Sequence, residues 1–115
     1  MMVPNFDRRP TQQSHSRAVN WRGRSGRFYA LAIDSLQDFA LKNSALSIIA
    51  RGNLILWVGS ASDVVNDSMS RARFRLALDC ADRAFHLAAP GDEVQRMTMV
   101  WDLEGAEPVS GVAAA

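Results

Sequence analysis

Two apolar runs of strand length lie almost back to back: residues 45–50 (ALSIIA) and 54–58 (LILWV), with only Arg51, Gly52 and Asn53 between them. Each run is too short for a core helix and far short of the roughly 20 residues that span a bilayer. Gly52 in the connector permits a tight reversal. The pair therefore predicts an antiparallel hairpin with both strands buried, and any fold of this chain must place that hairpin at the centre of a sheet. The second run ends in Gly59, Ser60, Ser62 and Asp63. These residues can bond their own backbone, so they read as the stop of a strand.

The flanking segments supply the remaining elements. Residues 28–33 (FYALAI) fit a short strand or the opening of a helix. Asp34 is a candidate N-cap with Gln37 three residues on, which predicts a short helix over 35–42 carrying Leu36, Phe39 and Ala40 on one face. A single helix over 28–42 is the alternative. Asn66, Asp67 and Ser68 offer caps for a long helix reaching Leu87. Its apolar face holds Phe74, Ala77, Leu78, Ala81, Ala84, Phe85 and Ala88 at helical spacing. On that helix Cys80 is expected to be a semi-buried thiol, and His86 to lie near the C-terminus, where its protonated form would favour the dipole. Pro90, Gly91 and Asp92 end it. Met97, Met99 and Trp101 then alternate with Arg96, Thr98 and Val100, predicting a strand over 94–101 with the methionines and tryptophan in the core. The fold class is α+β: a small sheet with a central antiparallel hairpin, backed by one long and one short helix. The order is βαββαβ, as in a ferredoxin-like sandwich, if 28–33 is a strand, and αββαβ if it is not.

Charge divides the chain. Residues 1–27 carry six arginines and one acid, a balance of +5, whereas residues 28–115 carry seven basic and eleven acidic groups, a balance of −4. The first segment also holds Pro4, Pro10, Gly23 and Gly26, with few large apolar side chains to offset its ordering entropy. It reads as a basic flexible arm over 1–27, followed by an α+β domain over 28–109 and a frayed tail over 110–115. Arg17, Trp21, Arg22, Arg24 and Arg27 in the arm, with Arg71 and Arg75 on the long helix, are the candidate contacts for an acidic protein or a nucleic acid. Guanidinium pairs with carboxylate or phosphate, and an indole can stack on a base. A homodimer is the other partnership expected, because a small sheet leaves a face or an edge to cover, with the strand near Trp101 as one candidate interface.

Several classes are excluded at this level. The chain has no Walker lysine loop, nucleophile elbow or dinucleotide fingerprint. Its two histidines and one cysteine give no metal-ligand spacing, so neither a metal nor a cofactor is expected. Asp102, Glu104 and Glu107 read as a solvated edge or loop. One cysteine allows no internal disulfide, and the opening MMVPNFDRRP has no apolar core of a secretory signal, so a cytoplasmic protein is expected.

Residues 47–75 are similar to the core of the GIY-YIG nucleases. Ser47-Ile48-Ile49 stands where the family has its first strand motif, and Trp57-Val58-Gly59 where it has the second, with Trp57 in place of tyrosine. The resemblance implies that Arg71, Arg73 or Arg75 takes the part of the family's helical arginine. It further implies that Glu104 takes the part of the glutamate binding the divalent metal in phosphodiester cleavage. The leading expectation is nonetheless a non-catalytic interaction or regulatory protein, with the metal-dependent nuclease and a structural or assembly subunit as alternatives.

Overall fold

The computed structural model describes residues 17–109. They form an α+β domain built on one six-stranded sheet, larger than the small sheet expected. The strands are β1 (Ala18–Arg22), β2 (Phe28–Asp34), β3 (Ala45–Arg51), β4 (Leu54–Gly59), β5 (Arg83–Ala88) and β6 (Glu107–Pro108). The helices are α1 (Ala61–Asn66), α2 (Ser68–Cys80) and α3 (Glu93–Glu104). The spatial order is β4-β3-β5-β2-β1-β6, with every neighbouring pair antiparallel. No described helix is long and apolar enough to cross a membrane.

The hairpin read from the two apolar runs is β3–β4, turning at Gly52 with φ +57°, a conformation that glycine adopts without a Cβ penalty. It lies at one end of the sheet and not at its centre as expected, because β5, β2, β1 and β6 all add on the β3 side. Ile48 pairs with Val58 and Ile49 with Trp57. The register then shifts, so that Leu56 is an extra residue bulging from β4. Alternation along β3 sends Ile48 to one face of the sheet and Ile49 to the other. Both are buried, because each face has its own cover. On one face Trp21, Tyr29, Leu31, Leu46, Ile48, Val58 and Phe85 pack against Leu103, Met99 and Val100 of α3. On the other, Ile49, Trp57 and Ala84 pack against Phe74 and Ala77 of α2 and against Leu36, Phe39 and Leu41.

Residues 28–33 are strand, the first of the two readings, but the element order ββββααβαβ is neither of the two expected. Beyond the added β1, α1 and β6, four points within residues 34–104 separate the structure from the expectation. Residues 35–44 form bends and turns instead of a short helix. Asp34 does not cap a helix, because its carboxylate bonds His86 across the sheet. The long helix stops at Cys80: Arg51 Nη1 takes the Cys80 carbonyl at 3.1 Å, and the Asp82 amide donates to the Ala50 carbonyl at 3.1 Å. The chain thus enters β5, a central strand buried on both faces, and His86 lies on that strand and not at a helix end. Cys80 is exposed. Finally, the expected strand at 94–101 is helical, its N-terminus capped by Asp92, whose carboxylate accepts the Gln95 amide at 3.0 Å.

The arm reading is corrected where the structure describes it. Residues 18–22 are a sheet strand, paired on one side with β2 and on the other with β6. Trp21 is fully buried and meets Phe85 edge to face, with ring centroids 5.7 Å apart. One large aromatic side chain, together with the pairing to β2 and β6, offsets the ordering cost that the polar composition implied. Residues 1–16 and 110–115, the rest of the expected arm and the tail, lie outside the described residues.

Candidate protein-binding groove

Asp102 is the polar anchor that fixes the β1–β2 turn onto α3. It is buried, and it accepts the Ser25 amide and the Ser25 and Tyr29 hydroxyls, each at 2.7 Å. Gly23 leaves no room for a Cβ against this carboxylate, so the close approach needs a glycine. Burial pulls the Asp102 carboxyl upward, but the three donors and the charge of Arg27 outweigh it and hold the group below the ordinary carboxylate value. Burial and the same hydrogen bond push Tyr29 up to about 12. Asp102 was expected on a solvated edge or loop. Its burial follows from helix geometry, which sends Asp102 and Leu103 inward while Trp101 and Glu104 point out.

That geometry leaves an apolar stripe on the outside of α3. Val94 is 72% exposed, Met97 61% and Trp101 52%, at helical spacing i, i+3 and i+7. Of the residues expected as a core stripe, Met97 and Trp101 are therefore on the surface and Met99 inside. Across from them Met69, at the start of α2, is 61% exposed. Between the two helices lies a groove of about 430 Å³. Leu56, Trp57 and Val58 of β4 form its floor, and Met69, Arg73, Arg96, Met97, Trp101 and Glu104 stand among its walls. β4 is the end strand of the sheet, and among the described residues no strand pairs with its outer side.

Electrostatics shape the two ends differently. At one end Arg96 is saturated: it holds Asp63 through Nη1 at 3.0 Å and Nη2 at 3.3 Å, and Glu93 through Nε and Nη2, each at 3.0 Å. The fork raises the Arg96 pKa above its usual value and lowers that of Glu93, chiefly through their mutual hydrogen bonds. It ties α3 to the capping box of α1, in which Asp63 also accepts the Ser60 amide at 2.8 Å. Beyond the lining at the other end, Arg24 lies over the Trp101 ring at 5.3 Å and donates Nε to the Trp101 carbonyl at 2.9 Å. Arg27 sits over Tyr29 at 4.9 Å and lines a separate cavity that Trp101 also borders. Among the described residues neither guanidinium is hydrogen-bonded to an acid, although the Arg27 charge acts on Asp102.

The structure separates the residues singled out in the sequence. Arg24 and Arg27 border Trp101. Arg17 and Arg22 are exposed on β1 or just before it, and the Arg17 carbonyl accepts the Ile33 amide. Trp21 is core and cannot stack on a ligand. Arg71 is turned back to the Val64 and Val65 carbonyls at the end of α1, and neither it nor Arg75 lines the groove. Arg73, beside them in sequence, does. No cluster of three or more metal-ligating side chains occurs among the described residues. The groove itself was missed in the sequence because its far wall was read as a strand. Asp92, with Glu93 and Gln95 behind it, was the available signal for a helix N-terminus. No protein-family model, no curated protein and no solved structure matches this chain.

Proposed function

We propose that the chain is an interaction protein that takes up an extended segment of a partner protein in the groove between α2 and α3. The carrying observation is that exposed Met69, Met97 and Trp101 line a groove along the outer side of β4, which no strand pairs among the described residues. Methionine, tryptophan and arginine together are the side chains enriched at the cores of protein interfaces. An end strand offers backbone groups that an incoming segment can satisfy. The segment is apolar where it passes Met69 and Met97 and acidic where it passes Trp101 to reach Arg24. This keeps the acidic partner expected from the arginines but moves the contact from an arm to a folded surface. A nucleic acid fits the groove less well, because Asp63, Asp67 and Glu104 outnumber Arg73 and Arg96 along it.

Selection from a random peptide library on the full chain tests this. Enriched peptides are expected to carry alternating apolar residues with acids at one end, and to lose on the order of 30-fold in affinity for Met97→Glu or Trp101→Ala. Peptides that bind both variants as well as the parent overturn the reading. A mass that doubles with concentration in the parent and not in Met97→Glu makes a second copy of this chain the occupant instead.

One observation favours a second reading. Trp57, Arg73 and Glu104 line the same groove, beside a hairpin followed by a helical arginine, as the resemblance to GIY-YIG nucleases implies. Glu104 would be the carboxylate for a divalent metal, since Asp63 is bound to Arg96 and Asp67 caps α2 through the Met69 and Ser70 amides. That reading predicts nicking of supercoiled DNA with magnesium or manganese, abolished in Glu104→Ala. Intact plasmid with both metals removes it.

A further inference from the structure

A second cavity of about 430 Å³, separate from the groove, lies under the 35–44 segment at the edge of the α2-covered face of the sheet. Three adjacent strands bring a carboxylate, an imidazole and a hydroxyl to its wall. Asp34 of β2 contacts His86 of β5, with Oδ1 2.7 Å from Nδ1. His86 pairs directly with Ser47 of β3, so both side chains emerge on one face as cross-strand neighbours, with no hydrogen bond joining them in this structure. Ser47 is only 3% exposed yet lines the cavity, along with Lys42 and Ser44. On its other side Ser47 is paired with Gly59, which sets no side chain of its own against it.

We infer that Ser47, His86 and Asp34 form a nucleophilic centre for small, activated acyl esters. A carboxylate acceptor at Nδ1 requires that nitrogen to carry the proton, which leaves the Nε2 lone pair as the base. The Ser47 hydroxyl oxygen adds to the ester carbonyl carbon while its proton passes to His86 Nε2. Collapse of the adduct breaks the bond to the leaving alcohol, which takes that proton and leaves an acyl group on Ser47. Water, deprotonated by His86, then adds to the acyl carbon and releases the acid and the free serine. Lys42 lines the cavity, together with Asp38, and is the one lysine or arginine there to supply positive charge for the oxyanion. β3 is paired on both sides, so its amides are occupied by the ladder and supply no oxyanion donors. The substrate class is accordingly esters with good leaving groups, whose transition states need less of that stabilisation. Asp34 is a positioning residue.

The test is labelling of the full chain with a fluorophosphonate, followed by peptide mapping. An adduct on Ser47 is expected, formed about 100-fold or more slowly in His86→Ala, the usual contribution of a positioned general base. Asp34→Glu is expected to retain part of the labelling rate that Asp34→Asn loses, at matched melting temperature, which a merely structural role would not produce. No Ser47 adduct on the unaltered chain, under conditions that label a serine esterase control, overturns the proposal. So does a Ser47 adduct that forms equally fast in His86→Ala.

Discussion

Trp21→Ala is expected to cost about 4 kcal/mol, in the range for emptying a buried tryptophan site, and to lower Tm by roughly 15 °C. The side chain is fully buried between sheet and α3, and its edge-to-face contact with Phe85 adds to the loss of burial. The indole Nε1 has no hydrogen-bond partner among the described residues. A buried N–H without an acceptor costs about 1–3 kcal/mol, so Trp21→Phe gives back that penalty while losing part of the volume. Its net cost is expected to stay under about 1.5 kcal/mol. The contrast between the two variants, read by urea unfolding, separates a core tryptophan from one that merely rests on the surface. A loss below about 1 kcal/mol for Trp21→Ala would place residues 18–22 outside the sheet and return them to the role of a free arm.

Asp102→Ala is expected to cost about 3 kcal/mol, because it strands the Ser25 amide and the Ser25 and Tyr29 hydroxyls without an acceptor. Its pH dependence has two limbs. The Asp102 pKa is lowered in the folded chain. On acidification the unfolded chain therefore binds its proton first, from about pH 4. The contribution of Asp102 is present above that pH and is lost as pH falls through the lowered folded value. Tyr29 moves the other way, up to about 12. Above about pH 10 the unfolded chain loses the phenolic proton first, so stability falls as pH rises toward 12. The stabilisation should span a plateau between the two limbs. Asp102→Asn should remove the acid limb relative to the parent, and Tyr29→Phe the alkaline one, both followed by denaturant midpoints across pH.

The parts of the fold legible in the sequence were those set by local chemistry. The β3–β4 hairpin showed itself because two apolar runs flank a glycine turn, and the start of α2 because Asp67 stands before a polar first turn. What was not legible depended on partners distant in sequence. Ala84, Phe85 and Ala88 continue the helical spacing of α2, yet pairing with β3 and β2 claims them for a strand. Met97, Met99 and Trp101 alternate like a strand, but positions four apart also share a helix face, so Met97 and Trp101 face out while Met99 and Leu103 face in. The cluster of Asp34, Ser47 and His86 spans 52 positions of sequence and exists only through the order of three strands. The arginines were visible at once. Their placement on Trp101 and Tyr29 was not, because it requires the turn at Ser25 to reach α3.

The location of binding is tested most directly by amide hydrogen exchange on the full chain, with and without a peptide from the library selection. Slowed exchange is predicted at those amides of β4 that face away from β3 and along α3 from Met97 to Trp101, with the face bearing Arg22 and Phe28 unchanged. Protection confined to that β1–β2 face, or none in β4 and α3, would contradict the groove as the docking site.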